Sequence, residues 1–263
     1  MRILFIGDIV GRPGRNAVAR RLPALRARHA PELVVANAEN SAAGLGATPA
    51  ILAELREMGV HAFTLGNHAW RKSEMIDAID RIGDVVRPVN FPDGSPGRGA
   101  MLATLPDGRT AGIINAVGRV YMEPAQCPFV KAEAALAEFA GRTNVILIDF
   151  HAEATSEKAA LAWHLDGRCS AVIGTHTHVQ TADEWILPGG TAFISDAGMC
   201  GPYHSIIGVD TRRVVEKFVY GMPRKFEVAA SGPSLFSGVF LEVDDATGRT
   251  LRIERILERD PAR

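Results

Sequence analysis

Five short apolar runs punctuate the chain, and each ends in side chains that carry oxygen or nitrogen. Ile3-Leu4-Phe5-Ile6 leads to Gly7-Asp8, Leu33-Val34-Val35-Ala36 to Asn37-Ala38-Glu39-Asn40, and Ala62-Phe63-Thr64-Leu65 to Gly66-Asn67-His68. Val145-Ile146-Leu147-Ile148 leads to Asp149-Phe150-His151, and Val172-Ile173 to Gly174-Thr175-His176-Thr177-His178. Runs this continuous fit strands covered on both faces. Between them, apolar residues recur at helical spacing. Val18, Leu22 and Leu25 predict a helix through about Ala30, preceded by a turn at Gly11-Arg12-Pro13-Gly14-Arg15 and broken or kinked at Pro23. Thr48-Pro49 opens a helix in N-cap-then-proline order that runs to Met58 and stops at Gly59. Ser73 reads as the cap of a short helix to about Ile82, and further helices are predicted over 131–141, 155–165 and 211–220.

The middle and the tail alternate differently. Ala100–Thr104 and Thr110–Asn115 flank Leu105-Pro106-Asp107-Gly108-Arg109, and Trp185–Leu187 and Thr191–Ser195 flank Pro188-Gly189-Gly190, two hairpin signals. Pro88–Gly99 and Asp196–Gly208 read as loops, and Lys225–Ala229, Ser237–Asp244 and Thr250–Leu257 as a closing strand meander. Strand–helix alternation followed by antiparallel strands predicts an α/β fold of two packed sheets with helices outside. A chain of 263 residues, 47% of them hydrophobic, buries a full core, and we expect one domain over 1–263.

Charge removes several function classes. With 29 basic and 30 acidic residues the net charge is −1, so no overall field draws the protein to nucleic acid or to an anionic membrane. No basic patch is interleaved with aromatics, and extended nucleic-acid binding is not expected. Cys127, Cys169 and Cys200 form no CxxC pair and leave an odd thiol, which argues against a disulfide framework and for a reducing compartment. Without a signal-peptide core or an apolar run near the roughly 18 residues of a membrane span, the expected location is the cytoplasm. Glycines 7, 11 and 14 match neither the dinucleotide fingerprint nor a phosphate-binding Walker loop.

The ends of the apolar runs carry the chemistry, because sites in open α/β sheets gather at the carboxyl ends of strands. The candidate ligands are Asp8, Glu39, Asn40, Asn67, His151, His176 and His178, a set of oxygen and imidazole donors without thiolate. Residues two apart on a strand point the same way, so His176 and His178 could grip one metal or straddle two from one short edge. Seven donors exceed the four of a tetrahedral zinc and suit two octahedral ions sharing a carboxylate, the arrangement that activates a hydroxide for in-line attack while holding the leaving oxygens. The donor types admit iron, manganese or zinc. His29, His61 and His164 lack such a setting and read as surface or packing residues, while Arg12 and Arg15 read as a solvated helix start and Tyr203-His204 as loop packing. Glu153 and Glu157 read as supporting or surface groups.

Gly66-Asn67-His68, His151 and Gly174-Thr175-His176-Thr177-His178 resemble the motif blocks of the calcineurin-like metallophosphoesterases. Two blocks depart from that pattern: Ile9-Val10 follows Asp8 where a histidine is usual, and Asn37-Ala38-Glu39-Asn40 replaces an acidic block. Both departures are similar to the YmdB-like branch of that family, as are Asp149-Phe150-His151-Ala152-Glu153-Ala154-Thr155-Ser156-Glu157-Lys158 and Ser195-Asp196-Ala197-Gly198-Met199. The resemblance implies a four-layer αββα sandwich and a phosphodiesterase with two metal ions, iron in the first place, acting on 2′,3′-cyclic nucleotides by attack of a metal-bound hydroxide. It implies that Asp8, Glu39, Asn40 and His178 hold one ion, that Glu39, Asn67, His151 and His176 hold the other, and that His68 donates a proton to the departing ribose oxygen. The expected partners are a small cyclic nucleotide or other phosphoester and further copies of the chain, with no membrane. The rival reading is a non-catalytic regulator that binds metal and nucleotide.

Overall fold

The computed structural model describes residues 1–260. The chain enters through β1 (Arg2–Ile6), β2 (Asp8–Ile9), α1 (Gly11–His29), β3 (Leu33–Asn37), α2 (Pro49–Glu57), β4 (Ala62–Thr64), α3 (Ser73–Ala78) and β5 (Val85–Val86). It continues through β6 (Ala100–Thr104), β7 (Thr110–Val117), α4 (Pro128–Glu138), β8 (Ile146–His151), α5 (Thr155–His164), β9 (Ala171–Thr175), β10 (Trp185–Ile186) and β11 (Ala192–Ile194). Then follow β12 (Met199–Pro202), α6 (Thr211–Tyr220), β13 (Ser234–Val243) and β14 (Thr250–Arg259).

Two mixed sheets result. The first runs β2-β12-β13-β1-β3-β4-β5 with β14 along the other edge of β13; the second runs β10-β11-β9-β8-β7-β6. β1, β3, β4 and β5 are parallel, as are β7, β8, β9 and β11, and antiparallel strands flank each set. The pleat sorts the apolar runs into layers. Ile3 and Phe5 of β1 face Leu147 of β8 and Ile173 of β9 between the sheets, while Leu4 and Ile6 point outward onto Val18, Leu22 and Leu25 of α1. On the far side Ile146, Ile148 and Phe150 of β8 pack on Leu136 of α4 and Leu161 of α5. Three apolar clusters between four layers are the expected αββα sandwich.

Several local expectations change. α1 begins at Gly11, not after Arg15, and runs through Pro23 without interruption. Its fully buried Val18, Leu22 and Leu25 gain more against the first sheet than one lost backbone hydrogen bond costs. Gly14 lets this helix press onto β12: a Cβ there would lie 2.3 Å from the Cys200 carbonyl oxygen. Thr48 caps α2 as expected, accepting from the Ile51 amide, whereas Ser73 lies inside α3 and Lys72 holds the cap position without a side-chain bond. Lys225–Ala229 forms no strand. Only Val228 bridges to Val209, and residues 221–227 lie exposed, Met222 and Phe226 among them, without a neighbouring strand to pair with. Met199–Pro202, read as loop, is β12, paired with β2 and β13. No helix of the described residues is long and apolar enough to cross a membrane.

Candidate metal centre

All eight residues singled out for chemistry meet at the carboxyl ends of the parallel strands. Asp8, Glu39, Asn40, Asn67 and His68 come from the first sheet, and His151, His176 and His178 come from the second. His151 Nε2 is the hub: Glu39 Oε1 lies 3.0 Å away, Asn67 Oδ1 3.1 Å and His176 Nδ1 3.1 Å. Donor atoms of Glu39, His151 and His176 all lie within 4.8 Å of one another. These are the residues assigned above to one ion.

The other group is more open. Asp8 Oδ1 stands 3.8 Å from His178 Nε2 and has no hydrogen-bond partner although Asp8 is fully buried. A buried carboxylate oxygen without a donor is costly, and a cation satisfies it. Asn40 turns its amide nitrogen to Glu39 Oε1 (3.0 Å) and His178 Nε2 (3.1 Å), and its oxygen accepts from His68 Nδ1 at 2.8 Å. Its oxygen thus faces His68 rather than the space beside His178.

Backbone geometry aims these groups. β9 ends at Thr175, and His176 and His178 follow with φ of 101° and 67°. The two histidines therefore converge through a left-handed turn, not through strand alternation as their spacing suggests. Such backbone is strained for any residue with a Cβ and persists where surroundings hold it. Here Asp8 Oδ2 accepts from the His176 amide, and Asp196 Oδ2 accepts from the Thr177 amide at 3.0 Å and from Lys158 Nζ at 2.9 Å. Lys158 and Asp196 are fully buried, and neither announces this role in the sequence. Each histidine also has its second nitrogen tied. His178 Nδ1 donates to the Ile207 carbonyl at 2.8 Å, and His176 Nε2 lies 3.3 Å from Glu153 Oε2. That leaves His178 Nε2 and His176 Nδ1 to face the centre.

Electrostatics follow from this packing. Burial raises the Asp8 carboxyl above its ordinary range, against the pull of His178 and His151. Burial acts likewise on Glu39, but His151 and His68 prevail and hold it well below the usual carboxylate range. Burial would lower His151, yet Glu39, Asp8 and Asp149 outweigh it and bring its pKa to about 9. His176 drops to about 3, through burial first and then repulsion by His151. A metal-free centre therefore carries a proton on His151 amid carboxylates, which a cation bound there would displace.

The remaining expectations sort clearly. Glu157 is buried and accepts from the Arg119 and Val120 amides, which fixes the loop after β7. Arg15 is not solvated: it donates to Glu54 and to the Ser41 carbonyl, bracing the loop behind Asn40. His61 accepts from the Val34 amide, His29 stacks on Phe240 and His164 pairs with Glu133, all away from the centre. Tyr203 and His204 pack on each other, with Arg259 over the Tyr203 ring.

Known proteins resemble this chain along nearly their whole length. The 2′,3′-cyclic-nucleotide 2′-phosphodiesterase of Bacillus subtilis (strain 168) is 49% identical over 260 residues, covering 99% of this chain and 98% of that protein. Among solved structures, a hypothetical protein from Thermus thermophilus superposes with a TM-score of 0.92 at 41% identity, over 99% of this chain and 100% of its own. A phosphatase from Mycoplasma pneumoniae gives a TM-score of 0.92 at 33% identity, covering 98% and 93%. With the YmdB-like family profile matching residues 4–256, the chain belongs to the YmdB-like protein family.

Proposed function

We propose that this chain is a phosphodiesterase that opens 2′,3′-cyclic nucleotides with two metal ions held in a single domain over 1–263. The observation that carries the reading is the convergence of Glu39, Asn67 and His176 donor atoms within 3.1 Å of His151 Nε2. The activity named for the Bacillus subtilis relative supports the substrate class. The donor set fits metal: oxygen and imidazole ligands without thiolate suit iron first, with manganese or zinc as alternatives. Glu39, Asn67, His151 and His176 would hold one ion, and Asp8, Glu39, Asn40 and His178 the other, with Glu39 shared. When bound, the ions supply an activated water and neutralise charge on the phosphate.

The chain itself supplies the proton. Hydrolysis of the P–O2′ bond adds water across it, leaving a 3′-phosphate and a ribose oxygen that departs poorly unless protonated. Asn40 Oδ1 can only accept, so His68 Nδ1 donates to it, and the proton for the ribose oxygen would be a second ring hydrogen, carried on Nε2, on a side chain that is 22% exposed. The Glu39 carboxylate holds the His68 amide at 3.0 Å and lies 3.2 Å from Nδ1, so the general acid and the shared ligand move together.

The test uses protein purified without chelator, its metals counted by mass spectrometry and its turnover measured on a 2′,3′-cyclic nucleotide and on bis-nitrophenyl phosphate. We expect two ions per chain, activity that a chelator removes and metal restores, and a Glu39→Ala variant that loses both ions. A metal-loaded protein that binds the nucleotide without turning over either ester would establish the regulatory reading instead.

A further inference from the structure

Asp149 sits one residue before Phe150 and two before His151 on β8, fully buried where the two sheets approach each other beneath the centre. The space between the sheets is otherwise filled by the apolar cluster around Phe5, Leu147 and Ile173. A carboxylate in such a place is costly unless donors surround it. Three do, each from a different strand. Asn37 Nδ2 of β3 donates to Oδ2 at 2.9 Å, Thr64 Oγ1 of β4 donates to the same oxygen, and Thr175 Oγ1 of β9 donates to Oδ1 at 2.6 Å. β3 and β4 belong to the first sheet, β8 and β9 to the second.

Counting hydrogens fixes the direction of every bond. The one hydroxyl hydrogen of Thr175 goes to Asp149, so Thr175 Oγ1 can only accept from His151 Nδ1, 2.8 Å away. Asn37 uses its two amide hydrogens on Asp149 and on the Leu65 carbonyl at 3.2 Å, while its Oδ1 accepts from the Glu39 amide at 3.1 Å. One carboxylate therefore reaches His151 through Thr175 and Glu39 through Asn37. Without the Thr175 hydroxyl, Asp8 Oδ1 stands 3.9 Å from His151 Nδ1, beyond hydrogen-bond reach, and the nearer polar atom is Asn37 Nδ2 at 3.5 Å, a donor. That neighbour favours the hydrogen on Nε2, where it blocks ligation.

We infer that Asp149 is a positioning residue: it holds His151 in the ligating tautomer through Thr175 and sets Glu39 against it through Asn37, joining the two half-sites across the sheets. The inference rests on the metal reading above. It is tested by titrating chelator-stripped protein with Mn²⁺ in a calorimeter, with thermal unfolding followed on the same samples. Thr175→Val and Asp149→Asn should each weaken Mn²⁺ binding about 10–100-fold. Thr175→Ser should restore it, and the double variant should bind no worse than the weaker single, since both act on one relay. Asp149→Asn sets an amide donor against other donors and risks the fold, so the Thr175→Val and Thr175→Ser pair carries the test alone if it does not fold. Wild-type affinity in Thr175→Val overturns the inference, as does a double variant whose losses multiply. A wild-type protein that takes up no Mn²⁺ overturns the metal reading and this inference with it.

Discussion

Gly66 occupies a position where the centre tolerates no side chain. A Cβ there would lie 2.3 Å from Glu39 Oε2, 2.4 Å from His151 Cδ2 and 2.6 Å from His151 Cγ, against the 3.4–4 Å of ordinary contact. Gly66→Ala must therefore push Glu39, His151 or both back by roughly 1 Å in a close-packed interior. Neither is free to yield: Glu39 is tied to the His68 amide and Asn40, and His151 to Thr175. Overpacking of this kind costs about 1–3 kcal/mol, and at 2–4 °C per kcal/mol for a chain of this size Tm should fall by about 2–12 °C. The fold survives such a loss. Catalysis should fall further, about 10²-fold or more, because a displacement of about 1 Å at the reacting groups already costs that much. Metal content, Tm and kcat/KM on a 2′,3′-cyclic nucleotide would be measured beside Gly83→Ala, whose added methyl meets nothing within 4 Å. Gly66→Ala protein that keeps both metals and wild-type turnover would refute the reasoning.

Two further outcomes follow from the same contacts. His68→Ala should keep both metals, lose about 10²–10⁴-fold on a 2′,3′-cyclic nucleotide and lose distinctly less on bis-nitrophenyl phosphate, whose leaving group needs no proton; equal losses would remove His68 from the acid role. In metal-free protein the His151 pKa of about 9 stands above the ordinary 6.5, so its contribution to stability is complete below pH 6.5 and is lost as pH rises through 9. Urea midpoints of stripped protein should accordingly fall between pH 7 and 9, and a His151→Asn variant should flatten that slope; an unchanged slope would show that His151 is not the group responsible.

The sequence made the donors legible and left their aim obscure. Oxygen and nitrogen side chains at the ends of five apolar runs are a one-dimensional signal, because sheet topology turns strand ends into neighbours in space. The layers were legible for a like reason: the period-two pleat of β1 splits Ile3 and Phe5 from Leu4 and Ile6, and nothing else in the chain competes for those faces. What escaped was everything that depends on a partner far along the chain. Asp149 reads as one more polar residue after an apolar run, and only the approach of Asn37 and Thr64 from the opposite sheet makes it a junction. Lys158 falls in the helix predicted over 155–165, and only Asp196, 38 residues later, takes its ammonium group inside. Met199-Cys200-Gly201-Pro202 reads as loop because its pairing with β2 and β13, not its own propensity, makes it a strand. Asn40 shows the limit most sharply. Its place in the chain marks it as a candidate ligand, but its oxygen accepts from His68 while its nitrogen meets His178. For Asn40 Oδ1 to join an ion beside Asp8 and His178 it must give up or share that bond. Ligation on that side and the freedom of the His68 ring are then linked through a single amide.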